Sequence, residues 1–233
     1  MKKNALIILE APWDLRKNDQ NVVSVLPFFQ GLERLNGNFD LYHSQFYETN
    51  SFEMALDQLT KLDYKRYYIY IASHGYGNRL QNIKLETVLG KINNKAQHKN
   101  IVGVVIGACL VGRNTSYFGA YTESSNIVWK FGYKCAVNWL DGTLLDLKIF
   151  DSLLNSKNND FLEANKLIRR FRGAVSLYDP TESIGTDISK IDENGKEHEP
   201  DMAIKDSLTL VIQPKGQGHK AKDYSSELFD IDD

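Results

Sequence analysis

The sequence predicts an α/β fold, a mostly parallel central sheet of about six strands with helices on both faces. Two observations carry that expectation. Short apolar runs alternate with segments of helical period along most of the chain, and strict alternation of strand and helix means parallel neighbours joined by crossover helices. Three of the runs are almost continuously hydrophobic, as strands buried on both faces are.

In order, ALIILEA at 5–11 is the first strand. VVSVLPFFQGLERL at 22–35 reads as a helix, with Pro27 near its first turn or kinking it. FDLYHSQFYE at 39–48 is a second, less apolar strand, nearer an edge. SFEMALDQLTKL at 51–62 is a helix with Ser51 as N-cap and Met54, Leu56, Leu59 and Leu62 as its apolar face. YYIYIA at 67–72 is the third strand, IKLETVLGKINN at 83–94 a helix, and IVGVVIGA at 101–108 the fourth strand. SSNIVWKFGYK at 124–134 reads as helical, CAVNWL at 135–140 as the fifth strand, and TLLDLKIFDSLLN at 143–155 as a helix by its leucine spacing. A further helix spans 161–175, and SLTLVIQ at 207–213 closes the pattern as a strand. Two stretches lack periodicity, 178–203 and the end from Pro214. The expected organisation is one domain over 1–213, with 178–203 a mobile loop inside it and 214–233 a disordered acidic tail.

Composition narrows the function classes. The chain of 233 residues has 42% hydrophobic and 25% charged residues and a net charge of −2. No basic block offers a phosphate-binding face, so nucleic acid is not the expected partner. The glycines of GYGN and PKGQGHK lack the strand–GxGxxG–helix context, and no Walker pattern occurs, so nucleotide binding is not expected either. Cys109 and Cys135 form neither a disulfide framework nor a CxxC pair. ALIIL has five apolar residues before Glu10, too few for a secretion signal or a membrane span. A reducing cytoplasm is the expected location.

Two strand ends carry the chemistry. YYIYIASHGYG at 67–77 stops at Ser73-His74-Gly75, and IVGVVIGAC at 101–109 stops at Gly107-Ala108-Cys109. In an open parallel sheet, ligands bind beyond the carboxyl ends of the strands. If the third and fourth strands are neighbours, His74 and Cys109 emerge side by side. A histidine is the usual base for a cysteine nucleophile, and the amides of Gly75 and Cys109 are then free to face an oxyanion. Taken singly, a histidine at a strand end is ordinarily structural, and a cysteine after a buried strand is an ordinary core residue. Those readings do not predict the matched placement.

A strand ending in (S/T/G)HG followed by one ending in (S/G)AC resembles the caspase-like cysteine peptidases, the group of caspases, separases and gingipains. IASHG at 71–75 and IGAC at 106–109 are most similar to the bacterial CHAT branch, and FGYKCAVNWLDGTLLDLKIFDSLL at 131–154 resembles the family's strand-then-helix segment, whose strand ends in a Trp followed closely by Asp. The resemblance implies a caspase-like three-layer sandwich. It implies His74 as general base and acid, Cys109 as nucleophile, and the Gly75 and Cys109 amides as oxyanion hole. The implied reaction is hydrolysis of a peptide bond in a protein or peptide substrate, with no metal or organic cofactor. An activating protein partner and a setting in bacterial defence or cell death follow from the same resemblance. The caspase pattern QACxG is absent, since the chain reads GACLVG, and the His–Cys separation of 35 residues is shorter than in caspases.

Cleavage after Asp would need arginines placed to grip a carboxylate. Arg16 is a candidate for the first, but CAVNWLDGT supplies no second. It supplies Asp141 beyond Trp139, as in a separase-type pocket for a basic P1 side chain. Asp141 is therefore the leading specificity candidate, against its reading as the turn residue of an Asp-Gly pair. Trp139 is a candidate wall, or core. Asp146 is a weaker candidate, and Glu10 and Asp14 are weaker still. Cys135 reads as packing, and His43 and His98 have no assigned role. Segment 178–203 is a surface excursion, a mobile loop over the cleft, or a self-cleavage site at Lys190 or Lys196. Two readings stand beside the peptidase: a catalytically silent caspase-like interaction module, and a small-molecule binder whose pocket His74 and Cys109 merely line.

Overall fold

A computed structural model describes residues 3–13, 23–123, 125–191, 195–216 and 218–230. Its elements run β1 (Asn4–Glu10), α1 (Leu26–Asn36), β2 (Phe39–Gln45), α2 (Thr49–Leu59), β3 (Arg66–Ala72), β4 (Arg79–Leu80), β5 (Ile83–Lys84), α3 (Leu85–Ala96), β6 (Ile101–Gly107), α4 (Thr115–Glu123) and β7 (Trp129–Tyr133). They continue with β8 (Ala136–Val137), α5 (Trp139–Leu154), α6 (Ala164–Val175), β9 (Ser183–Thr186), β10 (Lys190–Ile191), β11 (Glu197–His198), β12 (Asp201–Ala203), α7 (Ile204–Ser207), β13 (Leu208–Ile212) and β14 (Lys222–Asp223).

The α/β expectation holds. Seven strands form the central sheet in the order β14-β13-β7-β6-β3-β1-β2. The five from β2 to β7 are parallel, and β13 and β14 run antiparallel at one edge. Pleating sends alternate residues to opposite faces. On one face Leu6, Ile8, Tyr68 and Tyr70 pack with Phe29 of α1 and with residues of α5 and α6 such as Ile149 and Phe171. On the other, Ile7, Ile69 and Ile106 pack with Phe52 of α2, Val88 of α3 and Phe118 of α4.

Four details differ from the sequence reading. The fifth central strand is 129–133, inside the segment read as helical, and 135–140 contributes only β8 before Trp139 opens α5. Lys130 caused the misreading. It interrupts an otherwise apolar run, yet it lies fully buried on β7. The N-cap of α2 is Glu48, with Ser51 its reciprocal partner at the third position: the Ser51 amide donates to Glu48 Oε1 at 2.8 Å and the Glu48 amide to Ser51 Oγ at 3.0 Å. Of the expected apolar face Leu56 is buried, together with Phe52 and Ala55, but Met54 is 73% exposed, and Leu62, 60% exposed, lies beyond the helix.

Third, the stretch 178–203 is not one irregular loop. β9 joins β8 on one side and β12 on the other in a small antiparallel sheet, and β10 pairs with β11. Fourth, the expected disordered tail forms regular structure at 222–223 and 225–229 and buries Ser225 and Leu228. β14 pairs with β13, and Leu228 is buried in the α6 layer. Arg172 on α6 donates from Nε to the Glu227 carbonyl at 2.7 Å.

Lys130 invites a stability test. Its ammonium donates to Thr122 Oγ1 at 2.7 Å, while the Thr122 hydroxyl itself donates to the Phe118 carbonyl. Burial alone pushes its pKa down to about 7 from 10.5. Between those values the unfolded chain binds the extra proton, so the penalty is full below pH 7 and fades as pH rises towards 10.5. Lys130→Met should add about 1–3 kcal/mol at pH 7 and flatten the rise in stability towards alkaline pH. Urea unfolding at pH 7 and pH 9.5 checks both, and a variant less stable at pH 7 would contradict the account.

Candidate active site

Parallel pairing of β3 with β6 sets the positions of His74 and Cys109. The last pair in register is Ala72 with Gly107, so each residue lies two positions beyond its strand and on the same edge of the sheet. The chain then turns sharply at each place. After Cys109, Leu110 adopts φ +66°, a left-handed conformation that side-chain-bearing residues rarely hold. The Leu110 amide donates to the Cys135 carbonyl at 3.0 Å, which fixes that turn. After His74, Gly75 bridges to Leu80 through bonds from the Tyr76 amide to the Arg79 carbonyl and from the Gln81 amide to the His74 carbonyl, each 3.0 Å. Neither bond uses the N–H of Gly75.

Gly75 also lies directly against the nucleophile's backbone. A Cβ built on it would stand 2.1 Å from the Cys109 carbonyl oxygen and 2.8 Å from the Cys109 nitrogen. Only glycine permits the two strand-end loops to touch in this way.

His74 and Cys109 share the wall of one cavity of about 540 Å³. Trp13, Val137 and Trp139 form its sides, and Tyr70, Tyr133 and Asp146 its floor. The His74 ring meets Trp13 edge-on with centroids 5.0 Å apart, and Trp13 in turn meets Trp139 at 6.3 Å. Cys109 is half-buried, and its thiol reaches the Val137 carbonyl at 3.8 Å. Burial pushes that thiol up, so the protonated form is its resting state at neutral pH. Cys135 is fully buried, with its thiol pushed up to about 11 by desolvation, which suits a packing residue.

Of the acids weighed from sequence, Asp146 is the one that reaches the cavity floor. It is fully buried on α5, and the Tyr133 hydroxyl lies 2.7 Å from its Oδ1. Tyr70 hydrogen-bonds to it as well. Burial outweighs those bonds and raises its pKa to about 7. Gly107 makes room for this floor, because a Cβ there would stand 2.6 Å from the Tyr70 ring and 2.7 Å from Asp146 Oδ2. Among the described residues, the cavity lining holds no lysine or arginine.

Asp141 sits outside. It lies in the first turn of α5, where its carboxylate takes a bond from Asn138 Nδ2 at 3.2 Å, and it does not line the cavity. Trp139 does line it, and its indole Nε1 is buried without a hydrogen-bond partner among the described residues. Asp14 and Arg16 lie outside the described residues.

No protein-family model matches the chain, and no curated protein matches it. Among solved structures it is similar to the complex of Porphyromonas gingivalis RgpB pro- and mature domains, with a TM-score of 0.45 and 12% sequence identity over 95% of this chain and 68% of that one. A likeness of that size carries no chemistry, which must come from the cleft itself.

Glu10, weighed from sequence as a weak pocket candidate, has a different place. At the end of β1, it does not line the cavity but is fully buried beside it. Its carboxylate accepts from Trp13 Nε1 at 2.9 Å, Ser24 Oγ at 2.6 Å and the Val25 amide at 2.9 Å, and lies 2.9 Å from His43 Nε2. Burial alone would raise its pKa, but these bonds hold it below the usual carboxylate value. It thereby anchors Trp13, which lines the cavity, and Ser24 and Val25, which follow the lining residue Val23. The signal available in sequence was a carboxylate closing a wholly apolar strand, which has to find several donors once buried.

Proposed function

We propose that the chain is a cysteine endopeptidase that cuts a protein substrate after a basic residue, with His74 and Cys109 as its dyad. The observation that carries the reading is one cavity lined both by these two side chains and by the fully buried carboxylate of Asp146. A P1 arginine or lysine entering it would give Asp146 the counter-charge that its burial lacks.

In this reading His74 takes the thiol proton as the Cys109 sulfur attacks the scissile carbonyl carbon. The oxyanion that forms faces the N–H groups of Gly75 and Cys109. The C–N bond breaks as His74 returns the proton to the leaving amine, and water, deprotonated by His74, then hydrolyses the thioester. Kinship with the CHAT branch, an activating partner and a role in bacterial defence or cell death are supported by the motif resemblance alone, and a cytoplasmic location by two cysteines without a disulfide framework and the short apolar run before Glu10.

Fluorogenic peptides ending in Arg, Lys, Leu or Asp test the proposal. Arg and Lys peptides should be turned over, and Cys109→Ala and His74→Ala should each lower kcat/KM by at least about a thousandfold. Turnover that survives both substitutions overturns the dyad. If the protein cuts none of the peptides, a peptidyl electrophile with a P1 arginine decides: labelling of Cys109 well ahead of Cys135 keeps the reading, and equal or no labelling favours the silent interaction module.

A further inference from the structure

We infer that a second cavity, on the far side of His74, binds a large uncharged side chain of the substrate segment that follows the cut, an aromatic one best. The inference rests on the peptidase reading above and adds to it the specificity of the leaving side.

The His74 ring divides two cavities. Trp13 meets it on the side of the Cys109 cavity, and Tyr76 stacks on it with an interplanar angle of 29° and centroids 6.3 Å apart. Tyr76 belongs to the second cavity, of about 430 Å³, which shares His74 with the first and is otherwise lined by Pro12, Phe46, Tyr47, Gln81 and Asn82 with Ala11. Cys109 lines only the first cavity. A peptide held with its P1 side chain above Asp146 and its carbonyl at Cys109 must place the leaving nitrogen at His74, the group that protonates it. The chain beyond that nitrogen then crosses the imidazole into the second cavity.

The lining defines what fits. Besides His74, its described residues include no Lys, Arg, Asp or Glu. Phe46 is buried, while Tyr47 and Tyr76 are 58% and 61% exposed; His74 stacks on Tyr76, and the Tyr47 hydroxyl donates to Gln45 Oε1 at 3.0 Å, so both rings stay open to solvent over much of their surface. Aromatic rings of that kind favour aromatic or large apolar guests. The walls are also held in place. Gln81 adopts φ +50° and donates from Nε2 to the Pro12 carbonyl at 3.2 Å, and the Tyr47 amide donates to Ser51 Oγ at 2.9 Å in the α2 cap. A preformed site loses little freedom on binding.

The test uses internally quenched peptides with one acyl half ending in Arg and with Phe, Leu, Gly or Asp at the first two positions after it. The parent should prefer Phe over Gly by about tenfold in kcat/KM, with Asp worst. Tyr47→Ala should bring the Phe/Gly ratio down to about two, and Tyr47→Glu should shift the preference towards Lys at the same position. Cleavage after Arg with no preference on the leaving side, or a ratio unchanged in Tyr47→Ala, overturns the inference and leaves the peptidase reading standing. If no peptide is cut after Arg, the peptidase reading is decided by labelling with the P1-arginine electrophile, and the cavity is scored separately by titrating Cys109→Ala protein with dye-labelled Phe and Gly peptides. Tighter binding of the Phe peptide that is lost in the Tyr47→Ala background supports the site, and equal affinities overturn it.

Discussion

Asp146→Asn should lower kcat/KM for P1-arginine substrates by about a hundredfold or more and at the same time make the protein more stable. Both effects follow from one carboxylate. Asp146 lies under Gly107 at the base of the cavity, fully buried and held by Tyr70 and Tyr133. Neutral asparagine keeps its shape and can still accept a tyrosine bond, but it has no charge for a guanidinium.

The stability effect has a defined pH window. The folded-state pKa is raised to about 7 from an ordinary 3.8, so between those values the folded chain binds more protons than the unfolded one. Stability therefore falls as pH rises through the window, and the penalty is full above pH 7. Asp146→Asn should gain about 1–3 kcal/mol at pH 8 and almost nothing at pH 4, as read by urea unfolding. The same titration marks specificity. The ratio of kcat/KM for arginine over norleucine at P1 cancels the titration of the dyad, and it should climb as pH rises through about 7 and stay flat in the variant. A variant that keeps its arginine preference would make Asp146 a clamp for the two tyrosines and nothing more.

Why Asp146 and not Asp141 faces the cavity is a matter of helix geometry. Five residues at 100° each put the two side chains about 140° apart on α5. Leu145, Ile149, Phe150 and Leu153 are buried, and Asp146 falls inside the stripe they define, whereas Asp141 starts the helix outside it. A charge within an apolar stripe was the sequence signal. The positions of His74 and Cys109 were legible for a firmer reason: an apolar run that stops on a reactive residue marks a strand end, whatever the rest of the fold does. Strand 129–133 was not legible, because burial of Lys130 depends on Thr122, which only the tertiary fold brings to it. Packing of the end of the chain was hidden likewise, since Leu228 and the carbonyl of Glu227 find their partners on α6, far away in sequence.

Gly75→Ala should damage the site more than any other change of a single methyl group. The added carbon would meet the Cys109 carbonyl oxygen at 2.1 Å, the Cys109 nitrogen at 2.8 Å and the Ala108 carbonyl carbon at 3.0 Å. All three are backbone atoms, so no rotamer change relieves the clash. The Cys109 side is pinned by the Leu110 bond to Cys135, and the His74 side by its bridge to Leu80. One of these loops must therefore shift, at a cost of about 2–4 kcal/mol. Separation of the loops moves the imidazole and an oxyanion amide away from the thiol together. A displacement of that size costs about a hundredfold in rate or more. Labelling of the thiol by a small alkylating agent such as iodoacetamide, which needs neither amide nor P1 pocket, should fall much less than peptide turnover, because burial and not Gly75 governs access to the sulfur. Thermal unfolding, turnover and labelling measured on one preparation separate loss of alignment from loss of fold. Parent-like turnover in Gly75→Ala would show that the loops do not need their contact, and the reading of Gly75 as half of an oxyanion hole would fall with it.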